Sequence, residues 1–261
     1  MRVFDFNSAI VRSPGKSVVN GLRAASGPAP VFETVVAEHQ AYIAALRAAG
    51  VQVTVLDALE QFPDSIFVED PALVFSQAAV LLRPGAPSRV AEAYELSATL
   101  TARFPEVLQL GVGYADGGDI LVTPGRVLIG LSARTNEAGA ISLQDLLKSI
   151  GLTSTVASVP PGTLHLKTDC SLLDEETVLA TPELAKSGLL DGFRILVVPK
   201  EERSATNALR VNDVVFIRAG CPRTLDMLSK HGLKVLPLPA SEIAKVDAGL
   251  SCMSLRWWAT G

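Results

Sequence analysis

The strongest constraint on this chain is an internal repeat. Five times over, an apolar strand leads into a helix with 3.6-residue apolar spacing, then a second β-rich run, then a polar segment. The leading strands are read at 9–11, 79–82, 127–131, 178–180 and 214–217. The helices follow around Val36, Ile43 and Leu46; through Ala93, Leu96, Leu100 and Phe104; through Leu143, Leu146, Leu147 and Ile150; and at about 182–190 and 222–231. Gly50, Gly151 and Gly232 each close a helix as a left-handed cap, and β-rich runs follow at 51–56, 107–110, 152–159, 195–198 and 233–238. One helix on a short sheet cannot bury enough apolar area alone. Units packed about a common axis are therefore expected, as one α/β domain spanning residues 1–261.

Composition narrows the function. With 48% hydrophobic and 19% charged residues over 261 positions, the chain can bury a substantial core. A formal net charge of −4, with no basic run, argues against nucleic acid or an anionic membrane as partner; a small cationic substrate fits better. No apolar run reaches spanning length and the first residues lack a secretory apolar core, so a cytoplasmic protein is expected, monomer or homodimer. Cys170, Cys221 and Cys252 are odd in number, far apart and without a CxxC pair, which suggests neither a disulfide framework nor a zinc site.

The polar segments, 64–70, 114–119, 164–169, 205–210 and 247–252, hold the same place in each unit. If the units share an axis, Asp64, Glu69, Asp70, Asp116, Asp119, His165 and Cys252 converge. Each has a plain structural reading. Cys252 could be a small buried hydrophobe, His165 a satisfied core histidine, and Asp116-Gly-Gly-Asp119 a turn. Asp64, Glu69 and Asp70 could form a solvated edge, but Phe67-Val68 and the following 71–75 run make that segment look buried, and buried carboxylates require a cation. Of the three histidines, His39 lies mid-helix and His231 precedes a capping glycine. His165, placed on a short strand between Leu164 and Leu166 with no metal partner at ligand spacing, is left as the acid/base candidate. Two glycines between acids would let both face one cavity, one of them orienting His165.

Carboxylates, an imidazole and a thiol suit one chemistry. A guanidinium becomes electrophilic at carbon only when acids hold the cation against a strong nucleophile, and a thiolate serves without metal or organic cofactor.

At these residues the sequence resembles the dimethylarginine dimethylaminohydrolases, in the superfamily that also holds the arginine deiminases. The motifs are Pro63-Asp-Ser-Ile-Phe-Val-Glu-Asp70, Arg83-Pro-Gly-Ala-Pro-Ser-Arg89, Asp116-Gly-Gly-Asp119, Ser132-Ala-Arg-Thr-Asn136, Leu164-His-Leu-Lys167, and Val246-Asp247 with Cys252, in family order over nearly the whole chain. The resemblance implies a five-bladed α/β propeller and hydrolysis of methylated arginine to citrulline and a methylamine. It implies Cys252 as nucleophile, His165 as acid/base, Asp116 orienting His165, and Glu69 and Asp70 gripping the guanidinium. Arg89 and Arg134 would clamp the α-carboxylate and Asp64 the α-ammonium, with Val246 and Asp247 also in the substrate site. Where mammalian members have a leucine in a mobile lid, this chain reads Val11-Arg-Ser-Pro-Gly15 and is one residue short. Arginine deiminases are longer and carry an Asp where this chain has Lys167. A deiminase, another guanidino hydrolase or an amidinotransferase of the same fold is the alternative. A papain-like hydrolase would place its Cys before its His, the reverse of the order here.

Overall fold

Parallel strands cannot be joined by a tight turn; each parallel pair needs a crossover, and here the crossovers are the helices of the repeat. In the computed structural model, which describes residues 2–24 and 26–260, this yields five three-stranded sheets. β1 (Ser8–Arg12) leads through α1 (Phe32–Ala48) to β2 (Gln52–Leu56), parallel to β1 with Ser8 opposite Gln52. β3 (Ala72–Val74) and β4 (Ala79–Leu81) pair antiparallel, and α2 (Val90–Tyr94) and α3 (Ser97–Thr101) carry the chain to β5 (Val107–Gln109), parallel to β4. The same order recurs in β6 (Ile120–Thr123), β7 (Arg126–Leu131), α4 (Glu137–Ser149) and β8 (Ser154–Ser158). A one-turn α5 (Leu166–Asp169) precedes β9 (Cys170–Leu172), β10 (Thr177–Ala180), α6 (Pro182–Ala185) and β11 (Arg194–Val197). β12 (Leu209–Val211), β13 (Val214–Arg218), α7 (Pro222–Lys230) and β14 (Lys234–Leu238) form the fifth sheet. Finally β15 (Leu255–Trp257) adds to the first sheet, antiparallel to β1, so the two ends of the chain share one sheet.

The core is divided among the junctions. Ile10, Ala72, Leu81 and Trp257 join the first sheet to the second; Val80, Leu82, Val127 and Ile129 join the second to the third. Leu121, Leu128, Cys170 and Val178 join the third to the fourth, and Leu173, Leu179, Val215 and Ile217 the fourth to the fifth. Val11, Leu46, Val211 and Phe216 return from the fifth to the first. Each sheet thus buries its apolar residues against its two neighbours, which satisfies the requirement that a small sheet cannot meet alone.

Several local expectations need correcting. The chain between polar segment and leading strand holds a third strand in each unit, and periodicity missed it because those strands are only three or four residues long. The helix through Leu96 is two short helices: at Glu95 and Leu96 the amides bond to Glu92 and Ala93, three residues back, although Leu96 and Leu100 stay buried. Of 182–190 only Pro182–Ala185 is helical, started by the Thr181 side chain accepting from the Leu184 amide. The glycines at 50, 151 and 232 do take the left-handed conformation, at φ 88°, 80° and 86°. No helix among the described residues is long and apolar enough to cross a membrane.

One buried acid ties α1 to the segment that enters the polar cluster. Glu38, 3% exposed, accepts hydrogen bonds from the Ser241 amide (2.6 Å) and hydroxyl (2.8 Å), and from the amides of Glu242 (3.0 Å) and Ile243 (3.0 Å). These are the otherwise orphaned donors of the 3-10 turn Ile243–Val246. Glu38→Ala is expected to lower the unfolding free energy in a urea titration by about 3 kcal/mol, since it strands several buried amides; a loss below about 1 kcal/mol would contradict this anchoring role.

Candidate active site

Each polar segment immediately precedes, or runs into, the antiparallel strand of its sheet, so topology delivers the five segments to equivalent places. Cys252 lies on a 3-10 turn, Ser251–Met253, rather than on a strand; the chain reaches it through Asp247, held left-handed at φ 55°. His165 is also not on a strand. It is the extended residue immediately before α5. Both line one cavity of about 440 Å³, together with Gly118, Lys167, Asn207 and Asp247.

The two glycines of Asp116-Gly-Gly-Asp119 are required by close approach. A Cβ on Gly117 would collide with the Glu69 carbonyl oxygen, and one on Gly118 would lie 2.7 Å from the His165 ring and 3.0 Å from Asp70 Oδ1. Without those side chains the segment presses between the Glu69–Asp70 backbone and the imidazole, its Gly118 amide donating to Asp70 Oδ1 at 3.1 Å. Asp116, fully buried, accepts from the Gly85 amide (2.7 Å) through Oδ1 and pairs with His165 Nε2 (2.9 Å) through Oδ2. Asp119 does not face the cavity. It accepts from Ser132 Oγ (2.6 Å), Thr135 Oγ1 (2.7 Å) and the Leu166 amide (2.9 Å), anchoring the residue next to His165.

The electrostatics follow from burial. For His165 burial is the largest influence and opposes the charge. The Asp116 hydrogen bond and the fields of Asp70 and Asp119 outweigh it and raise the imidazole to about 9. Burial, reinforced by Asp70 and Glu69, pushes the Cys252 thiol up to about 12, against a weaker opposing hydrogen bond from the Gly249 amide and the charge of Lys167. Burial also opposes the Asp70 charge, but Arg89 and then His165 prevail and hold its carboxyl below the usual range. Asp64 goes the other way: burial raises it, and Arg89 offsets only part. Asp70, Asp116 and His165 each bring a ligand atom within 4.8 Å of the others, a donor set able to hold a cation. Asp70 is already matched by Arg89 and Asp116 by His165, so the site's own cations compensate these acids.

The substrate-binding candidates divide into two kinds. Asp64, Asp247 and Arg134 retain free capacity. Asp64 Oδ1 accepts from the Leu22 amide at 2.9 Å, exposed Asp247 accepts from the Ala24 amide, and Arg134, 22% exposed, has Nη1 3.9 Å from Asp116 Oδ2. Val246 is buried against Gly21. The N-terminal loop at 21–24 therefore lies across these groups. Glu69 and Arg89 depart from expectation. Glu69 is held by Lys167 Nζ (2.7 Å), Arg256 Nη2 (2.9 Å) and Ser251 Oγ (2.8 Å). Arg89, 4% exposed, directs Nε and Nη2 to Glu92, Nη1 to Asp70, and Nη2 also to the Asp64 and Phe67 carbonyls. With its donors so engaged, this guanidinium braces the 64–70 segment rather than pointing at a ligand.

Four residues that sequence reasoning did not place also shape the site. Besides Lys167 and Arg256, Asn207 accepts from the Ser251 amide (3.0 Å) and donates to Ser251 Oγ (3.1 Å) and the Lys167 carbonyl (2.8 Å), and Ser251 itself bridges Asn207 and Glu69. The available signal was the demand of a buried Glu69 for cations, with Arg256 standing alone between apolar Leu255 and Trp257.

Residues 29–158 match the family described as N,N dimethylarginine dimethylhydrolase, eukaryotic. The N(G),N(G)-dimethylarginine dimethylaminohydrolase of Pseudomonas aeruginosa is 37% identical over 254 residues, 97% of this chain and 100% of that protein. The fold is similar to that of a cysteine-to-serine mutant of the Pseudomonas aeruginosa enzyme complexed with citrulline, with a TM-score of 0.93 over 97% of this chain and 100% of the other. It is equally similar, at a TM-score of 0.93 and 37% identity over 96% of this chain and 99% of the other, to a histidine-to-glycine dimethylarginine dimethylaminohydrolase as its adduct with S-methyl-L-thiocitrulline. Sequence over the full length and fold agree: this chain belongs to the dimethylarginine dimethylaminohydrolase family.

Proposed function

We propose that the chain hydrolyses Nω-methylated arginine to citrulline and a methylamine through a covalent intermediate on Cys252. The observation that carries the reading is that His165, paired with buried Asp116 at 2.9 Å, lines the same cavity as Cys252. The guanidinium is held by Asp70 and Asp247, with Val246 as a wall; Asp64, buried with only the Leu22 amide donating to its carboxylate among the described residues, receives the α-ammonium, and Arg134 the α-carboxylate. Glu69 acts from beneath, fixing the Ser251–Cys252 turn, and Arg89 holds Asp70 in place. The Cys252 sulfur attacks the guanidinium carbon. The C–N bond to the methylated nitrogen breaks, and His165 gives that nitrogen its proton as the amine leaves. Water then adds to the thiouronium carbon with His165 taking a proton, and the C–S bond breaks to release citrulline and the thiolate. We read the five sheets as blades of a five-bladed α/β propeller forming one catalytic domain, monomer or homodimer, and the free Cys170 and Cys221 as fitting a reducing, cytoplasmic setting.

The direct test is incubation with asymmetric dimethylarginine, monomethylarginine, arginine and agmatine, reading ureido product and released amine. Methylated arginine is expected to turn over without added metal, and Cys252→Ser and His165→Ala to lower kcat by about 10³-fold or more. Equal or better turnover of arginine would make the protein a deiminase, and full activity in Cys252→Ser would overturn the mechanism.

The pH dependence has a definite sign. The productive form needs thiolate beside imidazolium, so it carries one proton fewer than the resting thiol–imidazolium pair. That proton is lost from the pair with the lower constant, about 9, and the second near 12. Log(kcat/KM) is therefore expected to climb with unit slope from about pH 6 to pH 9. Asp116→Asn should move this rise to lower pH by about one unit or more, because it removes the main group holding the imidazolium. A flat or falling profile over this range would contradict the assignment.

A further inference from the structure

Behind the catalytic cavity lies a second one that the proposed reaction does not use. It has a volume of about 390 Å³, and only Lys167 and Ser251 line both. The barrier between the two is the network already described, Glu69 with Lys167, Arg256 and Ser251.

The far cavity differs chemically from the near one. Its walls are apolar and aromatic, including Phe4, Leu73, Phe75, Leu172 and Trp257. Four basic side chains, Arg2, Lys167, Arg210 and Arg256, line it against two acidic ones, Asp5 and Glu69; Arg2 also reaches Asp213 at 3.2 Å, so the positive excess that remains sits on Arg210. Both of its acids are already paired, Asp5 with Arg2 at 2.7 Å and Glu69 with Lys167 and Arg256. Arg210 directs its donors to the carbonyls of Asn212 (2.6 Å) and Leu173 (3.2 Å), so its charge meets no carboxylate among the described residues.

We propose that this cavity is a second ligand site, for a small molecule with an aromatic or apolar body and one anionic group. The body would displace water from the aromatic walls, and the anion would pair with the Arg210 guanidinium, which no carboxylate matches. The cationic substrate of the catalytic cavity is excluded by the same charge. This inference rests on the cavity alone and stands whichever guanidino compound the enzyme prefers.

The chain has two tryptophans, Trp257 and Trp258, and both line this cavity, so tryptophan emission reports its occupancy. The probe is 8-anilinonaphthalene-1-sulfonate, titrated into the full chain with and without saturating citrulline, alongside uncharged N-phenyl-1-naphthylamine. Expected is saturable one-to-one quenching of tryptophan emission that citrulline does not reverse, with the uncharged dye binding about tenfold more weakly. Ser171→Phe, which fills the cavity from its wall, should abolish the quenching; if that variant does not fold, the paired dyes decide on the unaltered protein. Quenching reversed by citrulline would place the dye in the catalytic cavity, and equal binding of the two dyes would leave the basic excess without a role. Either result, or no saturable binding, overturns the proposal.

Discussion

Everything at this site depends on supplying partners to buried carboxylates. Glu69, Asp70, Asp116 and Asp119 are each no more than 4% exposed, and a buried carboxylate without a hydrogen-bonding or cationic partner is costly. The fold answers with named partners: Lys167 and Arg256 for Glu69, Arg89 for Asp70, His165 for Asp116, and two hydroxyls with the Leu166 amide for Asp119. Removing one member would leave a buried charge unmatched, which is why the network behaves as a unit. The same compensation sets the geometry, since the Gly117–Gly118 pair lets acid, imidazole and backbone approach more closely than any side chain there would allow.

This arrangement separates the two reacting groups in proton affinity. Burial, with Asp70 and Glu69, holds Cys252 neutral, while Asp116, Asp70 and Asp119 hold His165 charged, so the resting site is a thiol and an imidazolium with Asp70 acting on both. In the proposed binding mode, a guanidinium between Asp70 and Asp247 would add positive charge near the thiol and so favour the thiolate at the moment a nucleophile is needed. On that reading the nucleophile would be activated mainly in the presence of its target. Asn207 and Ser251 contribute by holding the Cys252 turn to the fourth and fifth units, and the Tyr42 hydroxyl, 2.6 Å from Ser254 Oγ, holds it to α1.

Much of this was legible in the chain itself. The five units showed because leading strands, helices and capping glycines are long or periodic enough to register, whereas the three- and four-residue antiparallel strands carry no period. Cys252 and His165 are reachable because each is the odd residue in a polar segment at an equivalent place, whereas the choice of Asp116 over Asp119 comes only from the family resemblance. Their local conformations are not. The leucines flanking His165 suggest a strand, yet Leu166 opens a helical turn anchored by Asp119. The roles of Glu69 and Arg89 depend on which partner each side chain meets across the fold, and that is set by tertiary contacts with Arg256, Lys167 and Glu92 rather than by any local pattern.

The central claim is that the Cys252 sulfur becomes bonded to the guanidinium carbon during turnover. Acid-quenching the enzyme in mid-reaction with asymmetric dimethylarginine, followed by intact mass measurement and peptide mapping, tests this directly. The account predicts a species heavier by the substrate less dimethylamine, located on the peptide bearing Cys252. Turnover with no such species under any quench time, or an adduct located on Cys170 or Cys221, would contradict it.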